Sequence, residues 1–485
     1  MTTLNQLYPQ PLWQWFETIC SIPHPSKHEQ ALSAYIKDWA QSINLSITED
    51  DVGNLIICKP ATKGMENRQT VALQAHLDMV PQKNADIEHE FAKDPIHAYV
   101  DGEWVKAKST TLGADNGIGM ASALALLAST DIPHGPLEVL LTIDEETGMT
   151  GAFGLKAGVL KADILINTDS EQEGEIYMGC AGGVDAQISQ AIEWETSTDA
   201  HAFTLTLKGL KGGHSGVNIH LGRGNANKLL ARFIYDFINK NPQKLSIANL
   251  QGGTLRNAIP REAQATLITS DISLLQKAVN DYQSLLKAEL AGADPDVELI
   301  LTSVNLPEKQ FTHASATKLM QLIHACPNGV IRMSDEIEEV VETSLNLGVI
   351  HTENDNVIIN CLIRSLMDSG REQVEGTLTA LAALADASIT LSGTYPGWKP
   401  DNSSPIMKIV SDTYQDIYHK EPAIMVIHAG LECGLFKKPY PNMDMVSVGP
   451  TIRFPHSPDE MVNIETVGQY WDLLLEVLKR IPNRH

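Results

Sequence analysis

The sequence predicts an α/β fold in which a layered, mixed sheet is interrupted by an inserted α+β domain. Three observations support this prediction. Strand-like and helix-like segments alternate over the first third of the chain, which is typical of a sheet covered by helices. After Gly183 the pattern changes to half-exposed, antiparallel-type strands. A turn-rich stretch at 394–405 then precedes a tail in which helices and strands resume.

The elements of the first part follow from runs of apolar residues. Residues 70–75, 137–143 and 163–167 each predict a buried strand, and 117–129 and 152–158 predict helices. Each of the three strands runs into acidic or histidine residues, in the order HLD (76–78), DEE (144–146) and TD (168–169). Open α/β sheets place their sites at the carboxyl ends of strands. We therefore expect these residues to lie at one site.

The middle of the chain has a different character. Strands are expected at 203–207, 263–270, 297–304, 357–364 and 388–391, with a glycine-rich loop at 209–216 and a helix at 225–240. We therefore predict that 1–183 and 399–485 form one domain and that 184–398 form a domain inserted into it.

Composition and charge exclude several classes of protein. A hydrophobic content of 43% and a charged content of 20% are globular values, and no apolar run approaches the roughly 20 residues of a membrane span. The net charge of −24 disfavours nucleic acid and anionic membranes as partners. The N-terminus lacks the features of a signal peptide, and the six cysteines include no CxxC pair. These features predict a cytoplasmic protein in which any metal is held by histidine and carboxylates.

Five residues at the ends of predicted elements have the chemistry of metal ligands: His76, Asp115, Glu146, Asp169 and His456. Zinc binds such nitrogen and oxygen atoms, and two neighbouring ions need about five protein ligands when one carboxylate bridges them. Each residue alone has another interpretation. The GADNG around Asp115 is also typical of a turn or a helix N-cap, and a Glu-Glu pair is typical of an exposed helix face. Their joint occurrence predicts one site.

Two acidic residues adjoin these ligands. Asp78 follows His76 by two residues and can orient its imidazole from behind. Glu145 precedes Glu146, so one carboxylate can bind metal while its neighbour faces a substrate.

The motifs HLDMVPQ, LGADNGIGMA, DEETGMTGA, INTDSEQ and FPHSPDE together resemble the M20 family of metallopeptidases, along essentially the whole chain. The resemblance implies two Zn²⁺ ions per chain, with Co²⁺ or Mn²⁺ as substitutes. Asp115 would bridge them, with His76 and Asp169 on one ion and Glu146 and His456 on the other. Glu145 would be the general base, Asp78 would support His76, and the peptide bond after Asp115 would be cis.

The resemblance extends to the inserted domain, which would be a lid over the catalytic domain. His214 in GGHSG matches a lid histidine that stabilises an oxyanion, although a loop histidine bonded to the backbone is the alternative. Asn257 and Arg364 match lid positions that bind the oxyanion or a substrate carboxylate, for which the guanidinium fork is suited. Glu432 could bind a free amine or be a solvated loop acid, and His428 is a further possible site residue.

Within the family, HLDMVPQKN, CAGG and HAGLECGLF resemble the dipeptidases that act on Xaa-His dipeptides. The implied function is a metallo-dipeptidase that hydrolyses small peptides such as β-alanyl-histidine and other unblocked dipeptides. An N-acyl amino acid deacylase or a tripeptidase would use the same metal chemistry. A non-catalytic zinc-binding protein would be expected to lack Glu145 or a ligand. The resemblance also implies a homodimer, although the long insertion could complete the site within one chain.

Overall fold

The computed structural model describes residues 3–84, 86–197 and 201–484. These residues form two compact units. The first contains the described residues up to Gly179, Pro400–Val426, and those from Leu431 onward; the second contains Cys180–Lys399 and Ile427–Gly430. The segments 1–183, 184–398 and 399–485 remain our proposal for the limits of the domains.

The α-helices of the described residues occur in both units. In chain order they are α1 Gln10–Ser21, α2 Gln30–Ser42, α3 Ala114–Ala128, α4 Glu145–Gly148, α5 Thr150–Gly154, α6 Ala226–Lys240, α7 Ile272–Glu289, α8 His313–Ala325, α9 Asp368–Leu384, α10 Pro405–Tyr418, α11 Glu432–Phe436 and α12 Ile464–Arg480. Short 3₁₀ turns lie at Leu4–Gln6 and Ile219–Leu221. Within the part of the chain that the structure describes, no helix has both the length and the apolar character needed to cross a bilayer.

The strands are numbered in the same way. They are β1 Ser46–Glu49, β2 Leu55–Lys59, β3 Val71–His76, β4 Ala98–Asp101, β5 Trp104–Ala107, β6 Leu137–Thr142, β7 Ile164–Asn167, β8 Glu175–Cys180, β9 Gly182–Ala191, β10 Trp194–Thr196, β11 His201–Lys208, β12 Gly213–His214, β13 Ser246–Gly252, β14 Ala258–Ile259, β15 Ala263–Thr269, β16 Glu298–Val304, β17 Lys309–Phe311, β18 Gly329–Met333, β19 Val341–Glu353, β20 Asn356–Ser365, β21 Ser388–Tyr395, β22 Ala423–Ile427, β23 Asp444–Ser447, β24 Ile452–Arg453 and β25 Met461–Asn463.

The main sheet of the first unit is mixed, with a parallel centre. Its strand order is β1-β2-β6-β3-β7-β23-β8-β22. Strands β6, β3, β7 and β23 run parallel, whereas β1, β2 and β6 pair antiparallel, as do β23 and β8. Strands β3, β6 and β7 are buried along their whole length, as expected of parallel strands covered on both faces. The predicted mixed α/β sheet is therefore confirmed.

Helix α3 packs into the core of this unit because its sequence is apolar on every side. Residues 116–127 are all buried. Gly119 allows the close approach to the chain after β7, since a Cβ there would lie 2.3 Å from Thr168 Oγ1. The contact brings the first turn of α3, which contains Asp115, to the carboxyl ends of β3 and β7. A separate sheet with the order β24-β25-β5-β4 belongs to the same unit.

The second unit is built on an antiparallel sheet with the order β16-β11-β15-β13-β19-β20-β9-β21, and β18 pairs with β19. Its core includes Phe233 of α6 and Leu319 of α8. The predicted strands correspond to β11, β15, β16, β20 and β21. The sequence pattern does not predict β19, because the polar residues Glu342, Ser344 and Asn346 interrupt its apolar run although all three are buried.

Candidate metal centre

The candidate ligands lie where elements of the first unit begin or end. His76 is the last residue of β3, and Asp169 follows the end of β7 by two residues. Glu146 is in α4, shortly after β6, and Asp115 is in the first turn of α3. His456 lies in the loop after β24. Because β3, β6 and β7 are parallel neighbours, their carboxyl ends meet at one edge of the sheet.

Asp115 stands between two histidines. Its Oδ1 is 3.2 Å from His76 Nε2, and its Oδ2 is 3.2 Å from His456 Nε2. Asp169 Oδ1 lies 3.4 Å from the same nitrogen of His76, and Glu146 Oε2 lies 3.1 Å from that of His456. The structure therefore brings the five candidate ligands together as two groups that share Asp115. The peptide bond from Asp115 to Asn116 is cis.

These separations suit a metal ion. Ligand atoms at about 2.0–2.1 Å from a tetrahedral zinc stand about 3.3 Å apart, close to the nitrogen–oxygen distances given above. The ligand atoms of His76, Asp115 and Glu146 all lie within 4.8 Å of one another. Within the described chain, Glu146 Oε1 and Asp169 Oδ1 are buried and have no hydrogen-bond partner. Such oxygens are costly to bury, and a cation would compensate them.

The imidazole of His76 is held so that Nε2 faces the carboxylates. Its Nδ1 lies 2.9 Å from the main-chain oxygen of Asp78 and 3.4 Å from Asp78 Oδ1. Both oxygens are acceptors, so Nδ1 carries a proton and Nε2 is the atom available to a metal. Burial lowers the pKa of His76, but Asp169 and Asp115 outweigh it and hold that pKa well above its ordinary value. The groups that favour this positive charge are those that would hold a cation.

The Asp78 carboxylate also organises the start of α4. It accepts hydrogen bonds from Glu145 N at 2.9 Å, Glu146 N at 3.2 Å and Ser26 Oγ at 2.7 Å. Burial raises the pKa of Asp78, but its hydrogen bond and charge interaction with His76 outweigh burial and lower it to about 2. Asp78 is therefore an anion that contacts both His76 and the Glu145–Glu146 pair.

The pKa values of Asp115 and His456 are also shifted from their ordinary values. Burial opposes ionisation of Asp115, but hydrogen bonds from His456 and His76 hold its pKa well below the usual range. Burial lowers the pKa of His456, but Asp115 and Glu146 outweigh it and raise it to about 11. The site thus stabilises positive charge strongly on both sides of Asp115.

Glu145 differs from the carboxylates beside it. Over the residues that the structure describes, its side chain forms no hydrogen bond or ion pair. Burial raises its pKa well above the ordinary value, and the charges of Glu146 and Asp169 raise it further, against the effect of His76. A carboxylate with these properties is suited to accept a proton.

Two buried residues that sequence reasoning missed tie these elements together. Asn116 accepts a hydrogen bond from His76 N at 3.3 Å and donates one to Thr168 O at 2.7 Å. Glu460 accepts four hydrogen bonds from the consecutive main-chain N–H groups of residues 112–115. The only sequence signal for Glu460 is its place at the end of FPHSPDE, four residues after His456.

Glu171 is a further acid that the sequence does not single out. Burial, followed by the charges of Asp115 and Asp169, raises its pKa to about 8. Burial and the neighbouring charges of Asp115 and Glu146 similarly raise the pKa of Asp169 to about 7, although His76 opposes the shift. Closely spaced carboxyl groups repel one another when all of them are ionised. A bound cation would relieve this repulsion, so the cluster favours cation binding.

Glu432 lies in the interior of the first unit. It is 0% exposed, and its Oε2 accepts hydrogen bonds from Gln74 Nε2 at 2.5 Å and Thr142 Oγ1 at 2.8 Å. Burial raises its pKa to about 8. The alternative interpretation of Glu432 as a solvated loop acid is therefore wrong. Its contact with a substrate amine stays a prediction.

Arg364 of the second unit is a buried cation, 5% exposed. Its Nε lies 3.3 Å from Ser215 Oγ, its Nη1 3.3 Å from Tyr395 Oη and its Nη2 3.4 Å from His214 Nε2. No carboxylate of the described residues forms an ion pair with it. A buried guanidinium without a counter-charge is suited to bind an anionic group.

His214, in β12 of the same unit, presents a second donor beside this guanidinium. Its Nδ1 accepts hydrogen bonds from the N–H groups of Gly216 at 3.2 Å and Val217 at 3.1 Å. The proton is therefore on Nε2, which faces Arg364. Both groups are donors, and an oxygen atom of a bound ligand could accept from each.

The other two residues of this unit are placed differently. Asn257 is exposed, and its carbonyl accepts a hydrogen bond from Ser215 N at 2.8 Å. His428 is buried, with Nε2 2.7 Å from Ser344 Oγ.

The chain is similar to known proteins over nearly its whole length. The family described as Peptidase family M20/M25/M40 matches residues 72–480. The cytosol non-specific dipeptidase of Escherichia coli (strain K12) is 58% identical over 485 residues, covering 99% of this chain and all of the relative. The crystal structure of aminoacylhistidine dipeptidase from Vibrio alginolyticus has a TM-score of 0.90 at 58% identity, over 100% of this chain and 99% of that one. A tripeptidase from Staphylococcus aureus, with a TM-score of 0.60 at 15% identity over 98% and 99% of the chains, shares the fold alone.

Proposed function

The chain belongs to peptidase family M20/M25/M40, and from this premise we propose that it is a metallo-dipeptidase acting on Xaa-His and other unblocked dipeptides. The names of the two relatives at 58% identity support the substrate class. One observation carries the proposal at the site. Each carboxylate oxygen of Asp115 faces a different histidine at 3.2 Å, as a ligand shared by two ions requires.

In this proposal the chain holds two zinc ions, for which cobalt or manganese can substitute. His76 and Asp169 hold one, Glu146 and His456 hold the other, and Asp115 holds both. A pair of bound cations supplies a water of lowered pKa and polarises the scissile carbonyl.

The remaining steps fall to side chains. Glu145 accepts the proton of the attacking water and returns it to the leaving amine. Asp78 keeps His76 and the start of α4 in place. His214 donates from Nε2 to the oxyanion, Arg364 and Asn257 bind the substrate carboxylate or oxyanion, and Glu432 meets the free amine.

The proposal also covers the cellular compartment and the oligomeric state of the enzyme. It acts in the cytosol, as the name of the Escherichia coli relative states for that protein. It forms a homodimer, in which His214 could serve the partner's site. Sedimentation velocity should give the mass of two chains, and a mass of one chain would remove the dimer from the proposal.

Hydrolysis of a substrate panel tests the function. The panel contains β-alanyl-histidine, other dipeptides, a tripeptide and an N-acetyl amino acid, with metal content determined on the same sample. We expect dipeptide hydrolysis to stop after chelation and dialysis and to return with zinc, cobalt or manganese. Equal hydrolysis by metal-free protein would contradict the metal mechanism. Preference for the tripeptide or the acetylated compound would contradict the substrate class.

A further inference from the structure

Glu460 is a buried acid, and each oxygen of its carboxylate accepts two hydrogen bonds from main-chain N–H groups. It is 2% exposed. Its Oε2 accepts from Leu112 N at 2.7 Å and Gly113 N at 3.0 Å, and its Oε1 accepts from Ala114 N at 2.8 Å and Asp115 N at 3.2 Å. No lysine or arginine of the described residues pairs with it. Burial, with the charge of Asp115, raises the pKa of Glu460 to about 7, and the N–H groups at the start of α3 oppose this shift by stabilising the negative charge.

The chain segment that carries Glu460 also carries His456. A turn closed by the hydrogen bond from Glu460 N to Ser457 O, at 3.0 Å, joins the two residues. His456 Nε2 approaches the carboxylate of Asp115, while Glu460 binds the main-chain N–H of the same aspartate. Asp115 is thus held at its side chain and at its backbone by one short segment.

We propose that Glu460 is a positioning residue of the metal centre. By fixing the main chain of residues 112–115, it sets the direction in which the Asp115 carboxylate points and keeps each oxygen toward its own histidine. The inference rests on the proposed function, because it takes Asp115 as the ligand shared by two ions. A tilted Asp115 would weaken the binding of both, so loss of Glu460 should lower metal affinity and kcat more than it changes KM.

The decisive variant is Glu460→Gln, which keeps the size of the side chain but turns an NH₂ group toward two N–H donors. Glu138→Gln is a matched control. Glu138 is 5% exposed in the same unit and accepts main-chain N–H groups from Lys161 and Ala162, away from the candidate ligands. Asp459→Asn makes the same charge change beside Glu460 at an exposed position. Glu460→Asp keeps the charge on a shorter side chain.

The measurements are zinc affinity by competition with a chelator, zinc bound per chain, the melting temperature, and kcat and KM for β-alanyl-histidine. We expect Glu460→Gln to lose about 10- to 100-fold in zinc affinity and a similar factor in kcat, with little change in KM. Glu460→Asp should lose less. Glu138→Gln should lower the melting temperature without a comparable loss of zinc, and Asp459→Asn should resemble the unmodified chain.

Equal zinc affinity for Glu460→Gln and Glu138→Gln would overturn the inference. If Glu460→Gln does not fold, unchanged zinc affinity of Glu460→Asp would overturn it in the same way. Because zinc affinity is measured without substrate, a chain that binds zinc but cleaves no dipeptide would contradict the proposed function while leaving this test intact.

Discussion

Glu145 and Glu146 are adjacent residues of α4, yet their carboxylates have different surroundings. Glu146 reaches His456 at 3.1 Å, whereas the side chain of Glu145 has no polar partner among the described residues. Asp78 accepts the N–H groups of both and so fixes the backbone from which the two side chains diverge. In our proposal Glu146 holds a cation and Glu145 transfers the proton.

Glu145→Gln should remove turnover while leaving the metals bound. The amide cannot accept the proton of the attacking water, so we expect kcat for β-alanyl-histidine to fall by about 10²- to 10⁴-fold. Metal bound per chain, measured on the same sample, should be unchanged. Glu146→Gln is the matched comparison and should lose metal. Turnover near that of the unmodified chain would refute the role of Glu145 as base.

The convergence of His76, Glu146 and Asp169 can be expected from the sequence, because parallel strands deliver their ends to one edge. Asp115 at the start of α3 and His456 in the loop after β24 are joined to them by the family resemblance. The roles of Asn116 and Glu460 could not be read in the same way. Their partners are backbone groups, and Glu460 is 345 residues from the Asp115 N–H that it accepts. Backbone donors leave no pattern in side-chain chemistry, so such contacts become visible only in three dimensions.

At the scale of elements, strands with simple apolar patterns are predicted well. The runs 70–75, 137–143 and 163–167 become β3, β6 and β7 with shifts of one residue at their ends. Strand β19 escapes prediction because buried polar residues break its pattern. In it, Ser344 bonds to His428, and Asn346 donates to the main-chain oxygens of Arg256 and Ala258. Hydrogen bonds to residues distant in the sequence thus stabilise these two buried polar side chains of β19, and the local apolar pattern cannot reveal them.

Strand β20 of the second unit presents Arg364, and Arg364→Lys should impair substrate binding. Lysine keeps the charge but loses the planar fork, which donates to Ser215 and Tyr395 and has Nη2 beside His214. A hydrogen bond to a charged group contributes about 1.5–3 kcal/mol, so KM for β-alanyl-histidine should rise about 10- to 100-fold. Metal content should stay constant.

Arg256→Lys provides the control for this change. Arg256 lies in the same unit, with its side chain 55% exposed and paired with Asp185. The substitution should alter KM little. A KM for Arg364→Lys no higher than that of the control would refute the role assigned to the buried guanidinium.

At the scale of the whole molecule, each unit has its own hydrophobic core. The first unit contains the candidate metal ligands, and the second unit contains Arg364 and His214. The whole chain has a net charge of −24. Besides this net charge, individual buried titratable groups make the free energy of unfolding depend on pH.

His428 is such a group, and it should make the second unit less stable as the pH falls. Burial, together with the charge of Arg364 and the nearness of His214, lowers the pKa of His428 to about 3. In the unfolded chain it is about 6.5. Below that value the unfolded state takes up a proton that the folded state refuses, so the stabilising contribution is present above about pH 6.5 and is lost toward pH 3. The expected loss between pH 7 and pH 5 is about 2 kcal/mol.

Chemical unfolding of the unmodified chain and of His428→Gln at both pH values measures this contribution. The difference in free energy of unfolding between the two proteins should change by about 2 kcal/mol, in favour of the variant at pH 5. Groups common to both proteins cancel in that difference. A difference independent of pH would show that His428 does not resist protonation in the folded chain.

The loop of residues 456–460 has a consequence for how the protein is made. His76, Asp115, Glu146 and Asp169 all precede the second unit in the chain, whereas His456 and Glu460 follow all of it. During translation the four candidate ligands of the first part are synthesised early, and His456 and Glu460 are synthesised only after the second unit. Until then Asp115 has neither its second histidine nor the carboxylate that binds its backbone. A nascent chain therefore lacks part of the candidate metal centre. The centre can be assembled only after this final segment has emerged from the ribosome.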